Sequence, residues 1–349
     1  MTLSLLLLAL ADATVMGEPA ASACPPMAMV RRDDSSSRAP PEPAPPDVAT
    51  VAASAVPSSD ASRRGDRSLA RLEAIRTASG AGALTRSELL TRSASRHAAY
   101  LGVNGLRAAP SIHAESAERA GFTGTDPFVR MRAAGYRYSY ATEVVGDVGQ
   151  AAMDNDCVDL LMNTVYHAAL LLSRVTQAGV AYGDGPAAGT CVIDLGAPLE
   201  LPGTPVPPSG DIVRYPWPGM TLPTGTFRPA LENPRPSSTL LPGPAVGTPV
   251  LVGLRNAEAL AASMGADGVE IQVFELRDGR DTVVPSVVLA DPAITGPGIV
   301  ADKGLHGVFA ALVPRQPLPP GFYRVILHAT IGPECALVPV PWQFSVGQH

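Results

Sequence analysis

Three residues in this chain have the types that do chemistry and a spacing that only folding could close: His113, Glu143 and His167. Neutral imidazole nitrogens and carboxylate oxygens are ordinary ligands for Zn²⁺ or another divalent metal, with water filling an open position. The same groups could instead hold one another by hydrogen bonds and do no chemistry. Tyr136 and Tyr140 lie just before Glu143, alternating with Tyr138 as in an extended segment. They would pack beside such a cleft or line an apolar ligand groove. The remaining candidates are weaker. His97 falls on an apolar helix face and reads as a core histidine. His306, His328 and His349 lack spaced partners. Ser111 and Ser116 stand near His113, but no nucleophile-elbow motif supports a Ser-His-Glu relay, so no residue is assigned as catalytic.

The elements that must position these side chains are legible from spacing. From Asp66 onward, Leu69, Leu72 and Ile75 mark one helix face, and Gly80 can end it in a left-handed conformation. Thr85 and Glu88 have the spacing of a capping box for a second helix, whose apolar face carries Leu90, Ala94, His97 and Leu101. Asp126 before Pro127 predicts the start of a third, which stops at Gly135. A fourth is expected over about Asp154 to Thr164, with His167 just beyond it. Ala178–Tyr182 and Cys191–Leu195 read as strands, with Gly183-Asp184-Gly185 opening the turn between them.

Longer runs carry a family resemblance. Ser111-Ile112-His113 is followed by Pro127-Phe128-Val129-Arg130-Met131-Arg132-Ala133-Ala134-Gly135-Tyr136, then by Tyr138-Ser139-Tyr140-Ala141-Thr142-Glu143 and by Leu161-Met162-Asn163-Thr164-Val165-Tyr166-His167. This frame resembles the bacterial members of the CAP superfamily (cysteine-rich secretory proteins, antigen 5, pathogenesis-related protein 1). In these, a PFxRMxxAGYxYS…GEN run precedes a WMNSxxH run. The resemblance implies an α-β-α sandwich in which His113 and His167 face each other across a cleft with Glu143 between them. Several positions depart from the pattern. Leu161 replaces Trp, Thr164 replaces Ser, and Thr142-Glu143-Val144 replaces Gly-Glu-Asn. Val129 stands where an acid is frequent, leaving Glu115, Glu118 or Asp126 to supply a fourth polar member. Cys157 and Cys191 both fall in the CAP-like region. They could pair in an oxidising compartment, contributing about 3–4 kcal/mol in the chain-entropy model, or remain two buried thiols. Cys335 is then left over, unless it meets Cys24.

The flanks set the context. Residues 1–23 read as a signal peptide, with an apolar run from Leu3 to Leu10 too short to span a bilayer and an Ala21-Ser22-Ala23 cleavage site. Cys24 directly after it is a candidate for lipid attachment. Residues 24–65 read as a disordered Pro/Ala/Ser-rich linker, 66–200 as the CAP domain, and 201–247 as a second, Pro/Gly-rich linker. From 248 to 349 the pattern is all β. Its runs are Val250–Leu254, Val269–Leu276, Val283–Leu289, Val308–Val313, Tyr323–Thr330 and Val338–Val346, with a hairpin turn at Arg277-Asp278-Gly279-Arg280. Pro319-Pro320-Gly321-Phe322-Tyr323-Arg324-Val325 resembles an edge common in bacterial immunoglobulin-like domains, so an immunoglobulin-like β-sandwich is expected.

The fold class expected is therefore α+β, a CAP-type α-β-α sandwich followed by an all-β sandwich. The net charge of −6 argues against nucleic acid, which needs a basic footprint. The functional expectation is an exported binding module, secreted or held in the cell envelope, for a lipid, glycan or protein ligand. A metal-dependent hydrolase built on His113, Glu143 and His167 is the alternative, and a structural envelope or adhesion protein a third.

Overall fold

A computed structural model describes residues 58–105, 111–149, 156–199, 212–254, 269–331, 335–337 and 341–348. Residues 1–57, which include the expected signal peptide, Cys24 and most of the expected linker, lie outside the described residues, as does His349. Among the described residues no helix is long and apolar enough to cross a membrane. The architecture is mixed α+β.

Helix α1 (Ser59–Ser79) starts before the sequence pattern suggests, so residues 58–65 are not linker. Ser58 caps it by accepting from the Ala61 amide at 3.1 Å. Arg64, polar by type, is buried: its guanidinium lies 4.0 Å over the Tyr182 ring and donates to the Ala188 carbonyl. An arginine stem and a stacked guanidinium can cover apolar surface as a hydrophobe does, which composition alone hides. Gly80 ends the helix at φ 80°, in the left-handed region as expected.

Helix α2 (Glu88–Asn104) is capped by Ser87, which accepts from Leu90 N at 3.3 Å. The Thr85–Glu88 box does not form, because β1 (Thr85–Arg86) pairs in parallel with β3 (Gln177–Tyr182). Helix α3 (Pro127–Ala133) has the expected Asp126 cap, accepting from Val129 N at 3.0 Å. The helix expected over about 154–164 is observed as the short α4 (Cys157–Met162), and a further helix not expected from the sequence, α5 (Tyr166–Leu171), carries His167. With β2 (Tyr138–Asp147) and β4 (Thr190–Pro198), the sheet of this head runs β1-β3-β4-β2, antiparallel except at β1.

Strand parity divides the head into layers. Val144, Val180 and Ile193 share a core with Leu69, Leu72 and Ile75 of α1 and with apolar residues of α4 and α5. Val145, Ala181 and Val192 point the other way, onto Ala94, Ala98, Tyr100 and Leu101 of α2. Adjacent glycines let both helices approach. A Cβ at Gly65 of α1 would press on the Val180 carbonyl, and a Cβ at Gly179 would overlap the Thr91 backbone of α2. The sheet is thus covered by α1, α4 and α5 on one face and by α2 and α3 on the other. Cys157 of α4 and Cys191 of β4 are joined by a disulfide, with Cα atoms 6.4 Å apart.

The second half has two main sheets. One runs β12-β10-β15-β17-β6, with β16 also on β15, and the other β13-β11-β14-β9-β5. Their strands are β5 (Ile212–Tyr215), β6 (Thr221–Leu222), β9 (Val250–Leu254), β10 (Val269–Asp278), β11 (Ser286–Ala290), β12 (Ile294–Thr295), β13 (Ile299–Ala301), β14 (Phe309–Pro314), β15 (Gly321–Ile331), β16 (Cys335–Leu337) and β17 (Trp342–Val346). A small hairpin pairs β7 (Thr226–Phe227) with β8 (Val246–Gly247). Trp342 and Phe344 are buried and Gln343 is exposed, the alternation of a half-covered strand. In β10 the buried set is Val269 and Ile271, then Phe274 and Leu276, because an irregularity between Ile271 and Val273 shifts the parity.

The segment read as a 201–247 linker is structural from 212 onward. β5 pairs with β9 and β6 with β17, so it supplies an edge to each sheet. Trp217 packs partly buried on the main core, and the Trp342 indole donates to the Pro216 carbonyl at 2.8 Å. Head and sheets also share one continuous apolar core. Polar contacts cross between them: Tyr166 donates to Asp302 at 2.8 Å and the Asn163 amide to the Thr226 carbonyl at 2.8 Å.

A fragment of residues 212–349 should therefore unfold at higher denaturant than one of residues 245–349, which loses β5, β6 and the indole's acceptor. Denaturation followed by near-ultraviolet circular dichroism reads this. Equal midpoints would show that the 212–244 segment adds nothing to the sheets.

Candidate functional site

Glu143 lies on β2 with its side chain on the α2/α3 face, between Ala141 and Val145. Its direct cross-strand neighbour is Asp194 on β4, whose neighbour on β3 is Gly179. Two carboxyl groups are thus set side by side under the helix that Gly179 admits. Both are buried, at 6% and 0% exposure.

The partners come from α2, α3 and the loop between them. Arg130 of α3, 1% exposed, donates through one terminal nitrogen to both Glu143 oxygens, at 2.9 and 2.7 Å. Its other terminal nitrogen donates to the His113 carbonyl at 3.0 Å, tying the loop to the helix. The His113 ring lies on top, Nδ1 2.9 Å from Glu143 Oε1, with about a third of the side chain open to solvent. Below, His97 of α2 is fully buried between Glu115 Oε1 at 2.9 Å and the Ile112 carbonyl at 2.8 Å. Both ring nitrogens of His97 thus face oxygen atoms, one a carboxylate and one a backbone carbonyl. Glu115 is held further by Thr123, whose amide donates at 2.6 Å and whose hydroxyl is 3.1 Å from each carboxylate oxygen. Of the acids that could fill the fourth place, Glu115 joins the cluster, Asp126 caps α3 and Glu118 is exposed.

The electrostatics follow from burial and neighbours. Burial alone would raise the Glu143 pKa, but the His113 hydrogen bond and the charges of His97 and Arg130 outweigh it and bring it down to about 2. Asp194 goes the other way. Burial, then the negative charge of Glu143 beside it, push its carboxyl well above the usual range. Ser93 stands beside Asp194, yet neither Asp194 oxygen makes a well-aligned bond to a described group. The Arg130 guanidinium thus faces the Glu143 carboxylate, with Glu115 3.8 Å from its Nε, while the surroundings of Asp194 favour the protonated acid.

His167 does not join this cluster. It stands on α5, in the layer on the opposite face of the sheet from Glu143, where its Nδ1 lies 3.3 Å from Glu232 Oε1. Glu232, buried at 2%, also accepts the amides of Val165, Tyr166 and His167 and so caps α5. The two tyrosines part as well. Tyr136 is buried with Leu90 and Met131, its hydroxyl pushed up by burial, and Tyr140 packs toward the α1 layer with the Arg174 guanidinium 5.4 Å over its ring. The expected cleft of His113, Glu143, His167, Tyr136 and Tyr140 therefore reduces to His113 over Glu143. Among the described residues no group of three or more His, Cys, Asp or Glu side chains is arranged to hold a metal ion. A divalent metal at Glu143 would have to displace the Arg130 guanidinium from both oxygens, so the residues present do not fit one.

Arg130, Asp194 and Glu232 are the residues that sequence reasoning missed. Arg130 lay inside the Pro127–Tyr136 run, and Asp194 was a lone acid in an apolar strand, a usable signal. Glu232 stood in a segment taken for linker. No protein-family model, curated protein or solved structure matches the chain.

Two outcomes follow. Glu143→Gln leaves Arg130 without its close counter-charge and should cost about 3–5 kcal/mol in denaturant unfolding. Replacing both partners, as Arg130→Met with Glu143→Leu, should cost less than the two single changes summed. Strict additivity would mean the pair is not coupled. In the second, the raised Asp194 carboxyl makes wild type lose stability as pH climbs from the ordinary Asp range, near 3.8, through the raised value. Asp194→Asn lacks that loss, so its stability relative to wild type should rise as pH climbs above about 4. A relative stability that falls over this range would show Asp194 ionised in the fold. Glu143 acts oppositely, its contribution being lost as pH falls from 4.5 towards about 2.

Proposed function

We propose that residues 58–199 form a CAP-type domain, that the sheets from 212 onward form an immunoglobulin-like sandwich, and that the whole is an exported binding module. The quoted sequence runs and the three-layered head support the first assignment. The Cys157–Cys191 disulfide supports an oxidising compartment, the cell envelope or the exterior, with a lipid on Cys24 as one means of attachment. The ligand class is lipid, glycan or protein.

One observation carries binding over hydrolysis: both oxygens of Glu143 are engaged by Arg130 in a buried site. A carboxylate so held is a weak general base and a poor metal ligand, since its lone pairs and charge are already used. The cluster then acts as a polar pin that fixes the 111–126 loop and α3 to the sheet. Around it the head presents His113, Tyr138 and the exposed Phe128, whose ring lies 6.3 Å from that of Tyr138.

Thermal melting and turnover of a chromogenic ester, with and without Zn²⁺, test this reading on the full chain. Zn²⁺ should raise the melting temperature of wild type no more than that of His113→Ala/His167→Ala and should bring no turnover. Zn²⁺-dependent turnover abolished by His113→Ala would overturn it in favour of the hydrolase.

A further inference from the structure

A second surface, remote in sequence from the head, has the make-up of a ligand site. The outward face of β15 and β17 sets Phe322 across from Ser345 and Arg324 across from Gln343. Phe322 is 72% exposed, the most exposed large apolar side chain among the described residues. Its ring forms part of an open groove of about 610 Å³ that Arg214, Arg324, Gln343 and Ser345 also line. Arg214 comes from β5, at the edge of the other sheet, so the groove lies where the chain crosses between sheets.

The groove's charges are unequally satisfied. Arg324 forms an ion pair with Asp281 on the β10 hairpin. Arg214 is half-buried, its Nε has no hydrogen-bond partner among the described residues, and burial lowers its pKa. Among the described residues no Asp or Glu lines this groove; Asp278 and Asp281 line the adjoining recess that shares Phe322, Arg324 and Gln343 with it. A desolvated guanidinium with an unpartnered Nε donor favours an anion, and its fork matches a carboxylate in particular. An exposed phenyl face beside an amide and a hydroxyl suits a flat ring whose edges carry hydroxyl groups. An open groove suits interior units of a chain better than a small molecule, which enclosed pockets bury almost completely.

We infer that this groove binds a carboxylate-bearing polysaccharide, one sugar ring stacked on Phe322 and its carboxylate on Arg214. The inference uses a different surface from the head and does not depend on the reading of His113 and Glu143.

Isothermal titration of the full chain with polygalacturonate, neutral amylose and dextran sulfate tests it. Polygalacturonate should bind at least about tenfold more tightly than amylose. Phe322→Ala and Arg214→Gln should each weaken that binding about tenfold. Val103→Ala, at 69% nearly as exposed but on α2, should leave it unchanged. Phe322→Ala removes an exposed ring and should keep the wild-type melting temperature. If Arg214→Gln lowers it, Arg214→Lys, which keeps charge but loses the fork, should bind with intermediate affinity. Absent binding to polygalacturonate, binding unmoved by either substitution, or equally tight binding of dextran sulfate insensitive to Phe322→Ala would each overturn the inference.

Discussion

The buried Arg130–Glu143 pair is the constraint on which the head depends. A guanidinium and a carboxylate taken out of water cost several kcal/mol each unless geometry and hydrogen bonding are nearly complete. Here completeness needs several elements at once. β2 supplies the carboxylate, α3 the guanidinium, the 111–126 loop a carbonyl and an imidazole, and α2 a second imidazole bridging to Glu115. The α2/α3 layer therefore has one satisfactory placement on the sheet. Asp194 fits because it keeps its proton. An ionised Asp194 would set a second buried negative charge directly beside Glu143, and burial and that charge both favour the protonated acid. The arrangement explains how a frame resembling a metal-binding cleft can serve as a pin, with one residue of the expected triad, His167, on the other face of the sheet.

The opposite layer is fixed by a different device. Arg76 of α1, fully buried, donates to the carbonyls of Ala81, Gly82, Leu171, Ser173 and Val175. One planar fork thus satisfies the ends of α1 and α5 together, where helix carbonyls lack internal partners. Glu232 does the converse at the start of α5, gathering three amides. Since Glu232 belongs to the second half of the chain, α5 is completed by a residue from outside the head. Together with Tyr166 on Asp302, this makes the boundary between halves a packed interface and not a hinge between independent modules.

Much of the fold was legible where a pattern is local. The Leu69, Leu72 and Ile75 spacing and Gly80 marked α1, Asp126-Pro127 marked α3, and the apolar runs marked β9, β10, β14, β15 and β17. What was hidden depends on distant partners. β5 and β6 are short and lie among prolines, and they exist because β9 and β17 offer them an edge. Arg64 and Arg76 look solvated by type, and only the tertiary packing shows their stems buried. The cluster was half legible. His113 and Glu143 stood out by type, but their commitment to Arg130 rests on strand parity. The same parity set His167 apart, and no spacing in the sequence reports on which sheet face a later helix will pack.

The central claim is that Glu143 is ionised and held by Arg130 while Asp194 beside it keeps its proton. Carbon-13 NMR of the side-chain carboxyl groups, followed against pH in the full chain, reads both states directly. The account predicts that the Glu143 resonance reaches its titration midpoint only near pH 2, while Asp194 changes only well above the ordinary aspartate range. Two carboxyl groups titrating together near pH 4, at their ordinary values, would contradict it.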